Sequence, residues 1–140
     1  RRYSTVMPTN LYGPGDNFDL GTSHVLPALL RKFHEARRTR APSVEVWGTG
    51  TVRREFLHVD DMADACVFLL ERAAAGKSVG DLVNVGCGQD ITIAELAAEV
   101  ASVVGYEGAI VYDRSKPDGT PRKLLDVSRL AALGWAPRIG

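Results

Sequence analysis

Short strand-like and helix-like segments alternate along this chain, and that alternation limits the possible folds more than any other feature. The clearest segment begins at Thr92-Ile93-Ala94-Glu95, a capping box with Thr as the cap and Glu three residues later. An apolar helical repeat continues to Val104, and the following Gly105 is typical of a helix end. Strands that alternate with helices favour an α/β or α+β arrangement.

Apolar spacing predicts the other elements. Strands are expected at 3–7, 44–47, 55–59, 81–85 and 109–112. One helix is expected to have Thr22 or Ser23 as its cap and to end near 37–42, and two more are expected at about 60–75 and 128–133. The segment 8–21, rich in Pro, Gly, Asn and Asp, is predicted to be a loop.

Composition excludes several classes of protein. The 140 residues are enough for about one domain, and 17 Lys and Arg balance 17 Asp and Glu, so no net positive charge favours nucleic acid. No run of apolar residues is long enough to span a bilayer. With only two cysteines a disulfide framework is not expected, and a reducing compartment, the cytoplasm, is the expected location.

The chain's own residues do not form the usual dinucleotide fingerprint. Gly48-Thr49-Gly50 and Gly86-Cys87-Gly88 both lack a third glycine three residues further on. Tyr112 and Lys116 have the Tyr-x-x-x-Lys spacing of short-chain dehydrogenases, but Tyr112 ends a predicted strand and Pro117 follows at once. The chain is therefore not expected to carry the hydride-transfer machinery of that class.

His24 is the histidine best placed for chemistry. It follows a flexible polar loop at the start of a predicted helix, and His is suited to proton exchange near neutral pH. From the residues alone, an ordinary surface or capping histidine is an equally open interpretation. His34 is expected to be solvated and His58 to make a polar contact in the core, and the three are too scattered to predict a metal site.

Two groups of cations remain after the histidines. Those on or after the first helix are interpreted as a solvated face. Those in loops at element ends could instead bind a diphosphate while Trp47 stacks on a base, since ligands bind at strand ends in open α/β sheets. The loop group comprises Arg53, Arg54, Lys116, Arg122 and Lys123.

Four motifs together resemble one known family. Residues 8–14 (PTNLYGP) and 54–61 (REFLHVDD) resemble the extended short-chain dehydrogenase/reductases. Residues 23–36 (SHVLPALLRKFHEA) and 115–126 (SKPDGTPRKLLD) are similar to one branch of them, the GDP-L-fucose synthase family. The likeness covers nearly the whole chain.

The resemblance implies a fold and an activity. Residues 1–140 would be the substrate-binding C-terminal portion of an α/β enzyme, lacking most of the Rossmann sheet and the N-terminal dinucleotide-binding portion. The whole enzyme would epimerise C3 and C5 of GDP-4-keto-6-deoxy-D-mannose and reduce C4 with NADP(H) to give GDP-L-fucose. It would work as a cytoplasmic homodimer on a GDP-sugar, without nucleic acid or membrane, and the 140-residue chain alone would be inactive.

The resemblance also implies roles for individual residues. His24 would be the catalytic proton donor, close to the cofactor. The nicotinamide would be lined by Pro8, Thr9, Asn10 and Leu11. The nucleotide-sugar would be contacted by Lys32, Trp47, Arg54, Asp118 and Lys123, with Arg54 and Lys123 facing the diphosphate.

Two other functions remain open at this stage. One is a residual GDP-sugar or partner-binding module without catalysis. The other is a related epimerase or dehydratase that acts on a different nucleotide sugar.

Overall fold

Local sequence signals set the boundaries of most helices and strands. In the computed structural model, which describes residues 3–139, the helices are α1 (Val25–Thr39), α2 (Val59–Ala74), α3 (Ile93–Val104) and α4 (Ser128–Ala132). The strands are β1 (Thr5–Pro8), β2 (Asn10–Tyr12), β3 (Ser43–Trp47), β4 (Arg53–Arg54), β5 (Phe56–His58), β6 (Leu82–Val85), β7 (Ile91–Thr92), β8 (Ala109–Asp113) and β9 (Arg122–Lys123). The predicted α/β class is confirmed.

The capping box at the start of α3 forms as predicted. The Glu95 N–H donates to Thr92 Oγ1 over 3.1 Å, and the Thr92 N–H donates to the Glu95 carboxylate over 2.9 Å. Gly105 ends the helix with φ 73°, in the left-handed region that glycine enters without steric cost. Both ends of α3 are therefore determined by local sequence.

The predicted cap of α1 was wrong by one or two residues. The N-cap is His24, in extended conformation with φ −70° and ψ 168°. Thr22 and Ser23 belong instead to the preceding turn, because both of their N–H groups donate to the Asp19 carbonyl, at 3.2 and 2.7 Å. The side chain of His24 makes no capping hydrogen bond.

The segment predicted as a loop over 8–21 contains β2. This three-residue strand pairs in parallel with β5, with Asn10 opposite Phe56 and Tyr12 opposite His58. β4, β7 and β9 were also not predicted, because a strand of two residues leaves no periodic pattern in the sequence.

The described residues form two compact units, and the first comprises 3–13, 55–90 and 123–139. Within it, β1 pairs in parallel with β6, β2 pairs with β5, and the helices are α2 and α4. Its core is a cluster of buried apolar side chains. The members are Leu57, Ala65, Leu69, Val79, Val83, Val85, Leu130 and Trp135.

The second unit comprises residues 14–54 and 91–122. Here β3 pairs in parallel with β8 over five residues, from Ser43 opposite Ala109 to Trp47 opposite Asp113. α1 packs against α3 and β3, and β4 lies between β7 and β9 in a small second sheet. Buried side chains of the helices and of β3 form the core, including Leu29, Phe33, Val44, Val46, Leu96, Ala97 and Val100.

The parallel pairing of β3 with β8 positions the candidate site. Carboxyl ends of parallel strands meet at one edge, where α/β proteins commonly bind ligands. At this edge Gly48, with φ 82°, turns the chain immediately after Trp47 and donates its N–H to the Asp113 carbonyl over 2.9 Å. Trp47 therefore projects from a fixed strand end rather than from a free loop.

Candidate functional site

A cavity of about 260 Å³ lies at the carboxyl end of β3 in the second unit. Its apolar wall comes from α1, β3, the start of α3 and the segments beside them. That wall consists of Leu20, Val25, Ala28, Leu29, Val46, Val52 and Ile93. The polar lining consists of Ser23, Lys32, Arg54 and Asp118, with Trp47 beside them. The structure thus brings together four of the five residues predicted to contact substrate.

Lys32 and Trp47 are packed against each other. The Lys32 ammonium donates to the Glu45 carbonyl over 2.9 Å and lies 5.3 Å from the centroid of the Trp47 ring. A second ammonium, that of Lys116, lies 5.4 Å from the same ring. Trp47 is nevertheless 58% exposed, so an aromatic surface remains available to a ligand.

Arg54 joins the cavity to the loop that carries Asp118. Its Nη1 group donates to the Thr120 carbonyl over 2.6 Å and to the Arg53 carbonyl over 2.8 Å. These two bonds fix the plane of the guanidinium and use the donors of one nitrogen. The other N–H groups of the guanidinium remain in the fork geometry that suits phosphate oxygens.

Asp118 is held by the turn that follows β3. Its carboxylate accepts the Thr49 N–H over 2.7 Å and the Thr49 hydroxyl over 2.8 Å. A Cβ on Gly48 would collide with this carboxylate, so glycine is needed there for space as well as for its positive φ. A carboxylate has further acceptor positions, which leaves Asp118 able to accept a hydroxyl or N–H of a ligand.

The cavity combines positive charge with an apolar wall. Among the residues that line it, Lys32 and Arg54 stand against the carboxylate of Asp118. Lys116 lies beside Trp47, and its charge acts on the Asp113 carboxylate. Its volume of about 260 Å³ is just below the ~300–1,000 Å³ of typical small-molecule sites, so it suits one part of an extended phosphorylated ligand rather than all of it.

His24 stands next to the cavity in the chain but has an exposed side chain. Its neighbours Ser23 and Val25 line the cavity, and the Ser23 hydroxyl is buried without a hydrogen-bond partner among the described residues. The turn before His24 is well ordered, because the Thr22 hydroxyl donates to Asp19 and Arg31 donates to the Phe18 carbonyl. The Thr22 and Gly21 donors lower the pKa of Asp19.

The residues predicted to line the nicotinamide lie in the first unit. Pro8 ends β1, and Asn10 and Leu11 belong to β2. The Thr9 hydroxyl and the Asn10 amide donate to the Glu55 carbonyl, at 3.2 and 2.7 Å. This segment fits a nicotinamide-lining role because it stands at the carboxyl end of a parallel strand, with Pro8 exposed.

The turn Gly86-Cys87-Gly88 follows β6 in the same unit. The Glu55 carboxylate, with no exposed surface, accepts the Gly88 N–H over 2.7 Å and the Leu125 N–H over 3.0 Å. Burial raises the pKa of the Cys87 thiol, and the nearby Glu55 adds to that effect. A thiol whose pKa is raised carries less thiolate, so this environment favours a packing role for Cys87 over that of a reactive thiol.

The other candidates occupy varied positions. Lys123, the fifth residue predicted to contact substrate, lies exposed at the end of β9 and is assigned to the first unit. His58 caps α2 by accepting the Asp60 N–H over 3.2 Å. Cys66, on α2, is partly exposed. Within residues 3–139 no group of three His, Cys, Asp or Glu could hold a metal ion.

The spacing of Tyr112 and Lys116 has no helical basis. Tyr112 lies in β8 and Lys116 lies beyond its end, so the two residues do not share a helix face, as the sequence predicts.

The structure does not contain, in the part of the chain that it describes, a helix able to span a membrane.

Sequence reasoning missed Thr49, which holds Asp118, and the contact of Lys116 with Trp47. Thr49 and Asp118 are 69 positions apart, and no local pattern predicts their hydrogen bond. For the contact of Lys116 with Trp47, the sequence offered one signal, which is the positive charge of Lys116 in a motif that also contains Asp118.

The parallel pair of β3 and β8, with a positively charged cavity at the carboxyl end of β3, defines an α/β protein with a site suited to a phosphorylated ligand. Comparison with known families then identifies the group. Residues 1–86 match the model of the NAD dependent epimerase/dehydratase family, and the chain belongs to that family.

Named relatives are similar over nearly the whole chain. GDP-L-fucose synthase 1 of Arabidopsis thaliana is 61% identical over 133 residues, which are 95% of this chain and 40% of that protein. GDP-L-fucose synthase of Escherichia coli K12 is 59% identical over 140 aligned residues, covering 96% of this chain and 44% of that protein. The chain therefore spans less than half the length of these relatives.

Solved structures agree in fold. A GDP-6-OMe-4-keto-L-xylo-heptose reductase from C. jejuni matches with TM-score 0.84 and 37% identity, over 98% of this chain and 49% of that chain. A GDP-L-fucose synthetase from Naegleria fowleri bound to NADP matches with TM-score 0.83 and 27% identity, over 94% of this chain and 40% of that chain.

Proposed function

We propose that this chain supplies the nucleotide-sugar site of a GDP-L-fucose synthase-type enzyme. The whole enzyme would convert GDP-4-keto-6-deoxy-D-mannose to GDP-L-fucose by 3,5-epimerisation and NADPH-dependent reduction at C4. The observation that carries the proposal is the meeting of Lys32, Trp47, Arg54 and Asp118 around one cavity. The 61% and 59% identical relatives with that name support it.

The polar and the apolar lining of the cavity would contact different parts of the ligand. The free N–H groups of Arg54 would donate to diphosphate oxygens, and Lys32 would add positive charge. Trp47 would offer its exposed ring to a flat or apolar part of the ligand, and Asp118 would accept a hydroxyl or N–H. Lys123 is assigned a diphosphate contact on the resemblance alone.

His24 would donate a proton during epimerisation. Inversion beside a ketone removes a proton from one face and returns one to the other through an enolate, and His is suited to exchange near neutral pH. The exposed side chain of His24, at the first position before α1, is free of any capping bond. Its position is fixed by the ordered turn at Asp19.

NADPH would supply the hydride that reduces the ketone. Pro8, Thr9, Asn10 and Leu11 would line the nicotinamide, and Glu55 would hold Thr9 and Asn10 through its carbonyl. Residues 1–140 contain neither a glycine-rich pyrophosphate turn nor a helical Tyr-x-x-x-Lys pair. The 140-residue chain alone is therefore proposed to bind a GDP-sugar without turning it over.

The partners of the whole enzyme remain part of the proposal. They are a GDP-sugar and a second copy of the enzyme in a homodimer, with a cytoplasmic location. Relatives named for GDP-sugars differ in the sugar, since one is a GDP-L-colitose synthase and another a GDP-heptose reductase. Their common nucleotide supports recognition of GDP, and the GDP-L-fucose synthases among them support the identity of the sugar.

Calorimetry tests the proposed recognition of GDP. The chain should bind GDP more tightly than UDP, and Arg54→Ala should weaken GDP by about ten- to a hundredfold, the usual value of a hydrogen bond to a charged group. Arg38→Ala removes the same charge from the exposed last turn of α1 and should leave GDP binding unchanged. Equal affinity of Arg54→Ala and the unmutated chain would contradict the assignment.

A chimera tests the reaction. This chain replaces the matching region of the Escherichia coli relative, to which it is 59% identical, and formation of GDP-L-fucose is followed with NADPH. His24→Gln in the chimera should abolish inversion at C3 and C5, while His34→Gln on the polar face of α1 should not. Unchanged inversion in His24→Gln would remove His24 from the mechanism, and no turnover with the unmutated graft would count against the sugar assignment.

A further inference from the structure

The ring of Trp47 has two cations beside it that are held differently. The Lys32 ammonium has a second partner, the Glu45 carbonyl at 2.9 Å. The Lys116 ammonium lies 5.4 Å from the ring centroid, and the structure shows no hydrogen bond for it within residues 3–139. Its charge also acts on the Asp113 carboxylate and helps to lower the pKa of that group, after the larger effect of the hydrogen bonds from Ser115. Lys116 is exposed and lies in the loop that also supplies Asp118 to the cavity.

We propose that Lys116 is a further phosphate-binding residue of this cavity, held against Trp47 until a nucleoside diphosphate arrives. The inference rests on the proposed function. The sequence only places Lys116 among the loop cations that could bind a diphosphate, and neither the family resemblance nor the relatives' names assign it a role. Its contact with the Trp47 ring comes from the structure. The Lys116 ammonium would exchange the Trp47 ring for a phosphate oxygen when the ligand binds.

The exchange follows from the strength of the two contacts. An exposed cation–π contact is weak, whereas charge-assisted hydrogen bonds to phosphate are roughly twice as strong as neutral ones. Moving the ammonium to a phosphate oxygen would also uncover part of the Trp47 ring, which a base or sugar could then cover. Lys116 would thus couple phosphate binding to access to the ring.

The loop around Lys116 is built to permit this movement. The Asp113 carboxylate accepts the Ser115 N–H and hydroxyl, at 3.0 and 2.6 Å, which fixes the backbone just before Lys116. Asp118 is fixed two residues later by Thr49. Only the side chain of Lys116 needs to turn, so the cost in backbone order is small.

Titration with GDP tests the proposal. Lys116→Gln should raise the Kd for GDP by about three- to fivefold, the upper range for an exposed ion pair. Its affinity should also depend less on salt, because one phosphate contact is lost. Lys116→Arg should keep most of the affinity, and Arg114→Gln, which removes the same charge two residues earlier, should change it less than twofold.

Fluorescence gives a second readout. Trp135 is buried and donates to Asp64, so Trp47 dominates quenching by a neutral quencher such as acrylamide. Lys116→Gln should raise the quenching of Trp47 in the free chain and leave that of Trp135 unchanged.

Three outcomes would overturn the inference: GDP affinity unchanged in Lys116→Gln, an equal loss in Arg114→Gln, or an equal loss of affinity for guanosine. Guanosine has no phosphate, so an equal loss would mean that Lys116 merely orients the Trp47 ring. If the unmutated chain binds no GDP at all, the proposed function fails first and the inference fails with it.

Discussion

Replacing Glu55 by Ala should destabilise the protein strongly, although Glu55 lies outside the cavity. The Glu55 carboxylate has no exposed surface and accepts two backbone N–H groups, from Gly88 at 2.7 Å and from Leu125 at 3.0 Å. Alanine would remove the acceptor of both amides, which lie in partly buried surroundings. At ~1–3 kcal/mol for each unsatisfied donor, the free energy of unfolding should fall by about 2–6 kcal/mol.

Glu55→Gln separates the hydrogen bonds from the volume of the side chain. Glutamine keeps one acceptor oxygen, but its NH₂ group would face a second N–H donor. One amide is then left unpaired, so the expected loss is about 1–3 kcal/mol, between those of the alanine variant and the unmutated chain. Should Glu55→Ala fail to fold, the glutamine variant still carries the test.

Urea unfolding followed by circular dichroism measures these losses, with hydrogen exchange at Gly88 and Leu125 as a local readout. Glu71→Ala is the matched control, because Glu71 is an exposed carboxylate on α2 of the same unit. Its free energy of unfolding should change by less than about 0.5 kcal/mol. An unfolding midpoint of Glu55→Gln equal to that of the unmutated chain would refute the reasoning about buried donors.

Three further predictions concern local structure. Thr92→Ala should lower the free energy of unfolding by about 1 kcal/mol in urea, because the cap of α3 is lost, whereas Ser102→Ala, at an exposed position of α3, should not. Because hydrogen bonds from Thr22 and Gly21 lower the pKa of Asp19 from its ordinary 3.8, the stabilisation of that turn is complete above 3.8 and is lost as the pH falls through the folded-state pKa. NMR shifts of the Thr22 amide in acid should show that loss, and Asp19→Asn should remove the transition. Burial raises the pKa of Cys87, so its alkylation by iodoacetamide at pH 7.5 should be slower than that of glutathione and should accelerate at higher pH.

Helices were predicted well because their signals are local. The capping box and Gly105 define α3 almost to the residue, and α2 begins within one residue of the expected Asp60. The short strands β2, β4, β7 and β9 exist only through pairing with segments far along the chain. A residue pattern of two or three positions carries no trace of such pairing, which explains why they were missed.

The candidate site was predicted by resemblance and completed by the fold. Lys32, Trp47, Arg54 and Asp118 were named from motifs, and the structure shows that they line one cavity. The apolar wall and the Thr49–Asp118 bond could not be predicted, because they depend on how β3 aligns with β8 and on the loop after β8. The neutral total charge likewise gave no hint that cations gather around Trp47.

The boundary between the two compact units falls between Arg54 and Glu55, which are neighbours in one short motif. The two residues therefore belong to different units. Arg54 lines the cavity of the second unit, whereas Glu55, its neighbour, is buried in the first unit and holds Thr9 and Asn10. Arg54 is partly exposed and Glu55 has no exposed surface, so substitutions at the two positions should have different effects. Arg54→Ala should change GDP affinity with little change in unfolding, and Glu55→Gln should change unfolding with little change in GDP affinity. A motif that looks continuous in sequence thus contains one residue that lines the cavity, followed directly by one that supports the fold.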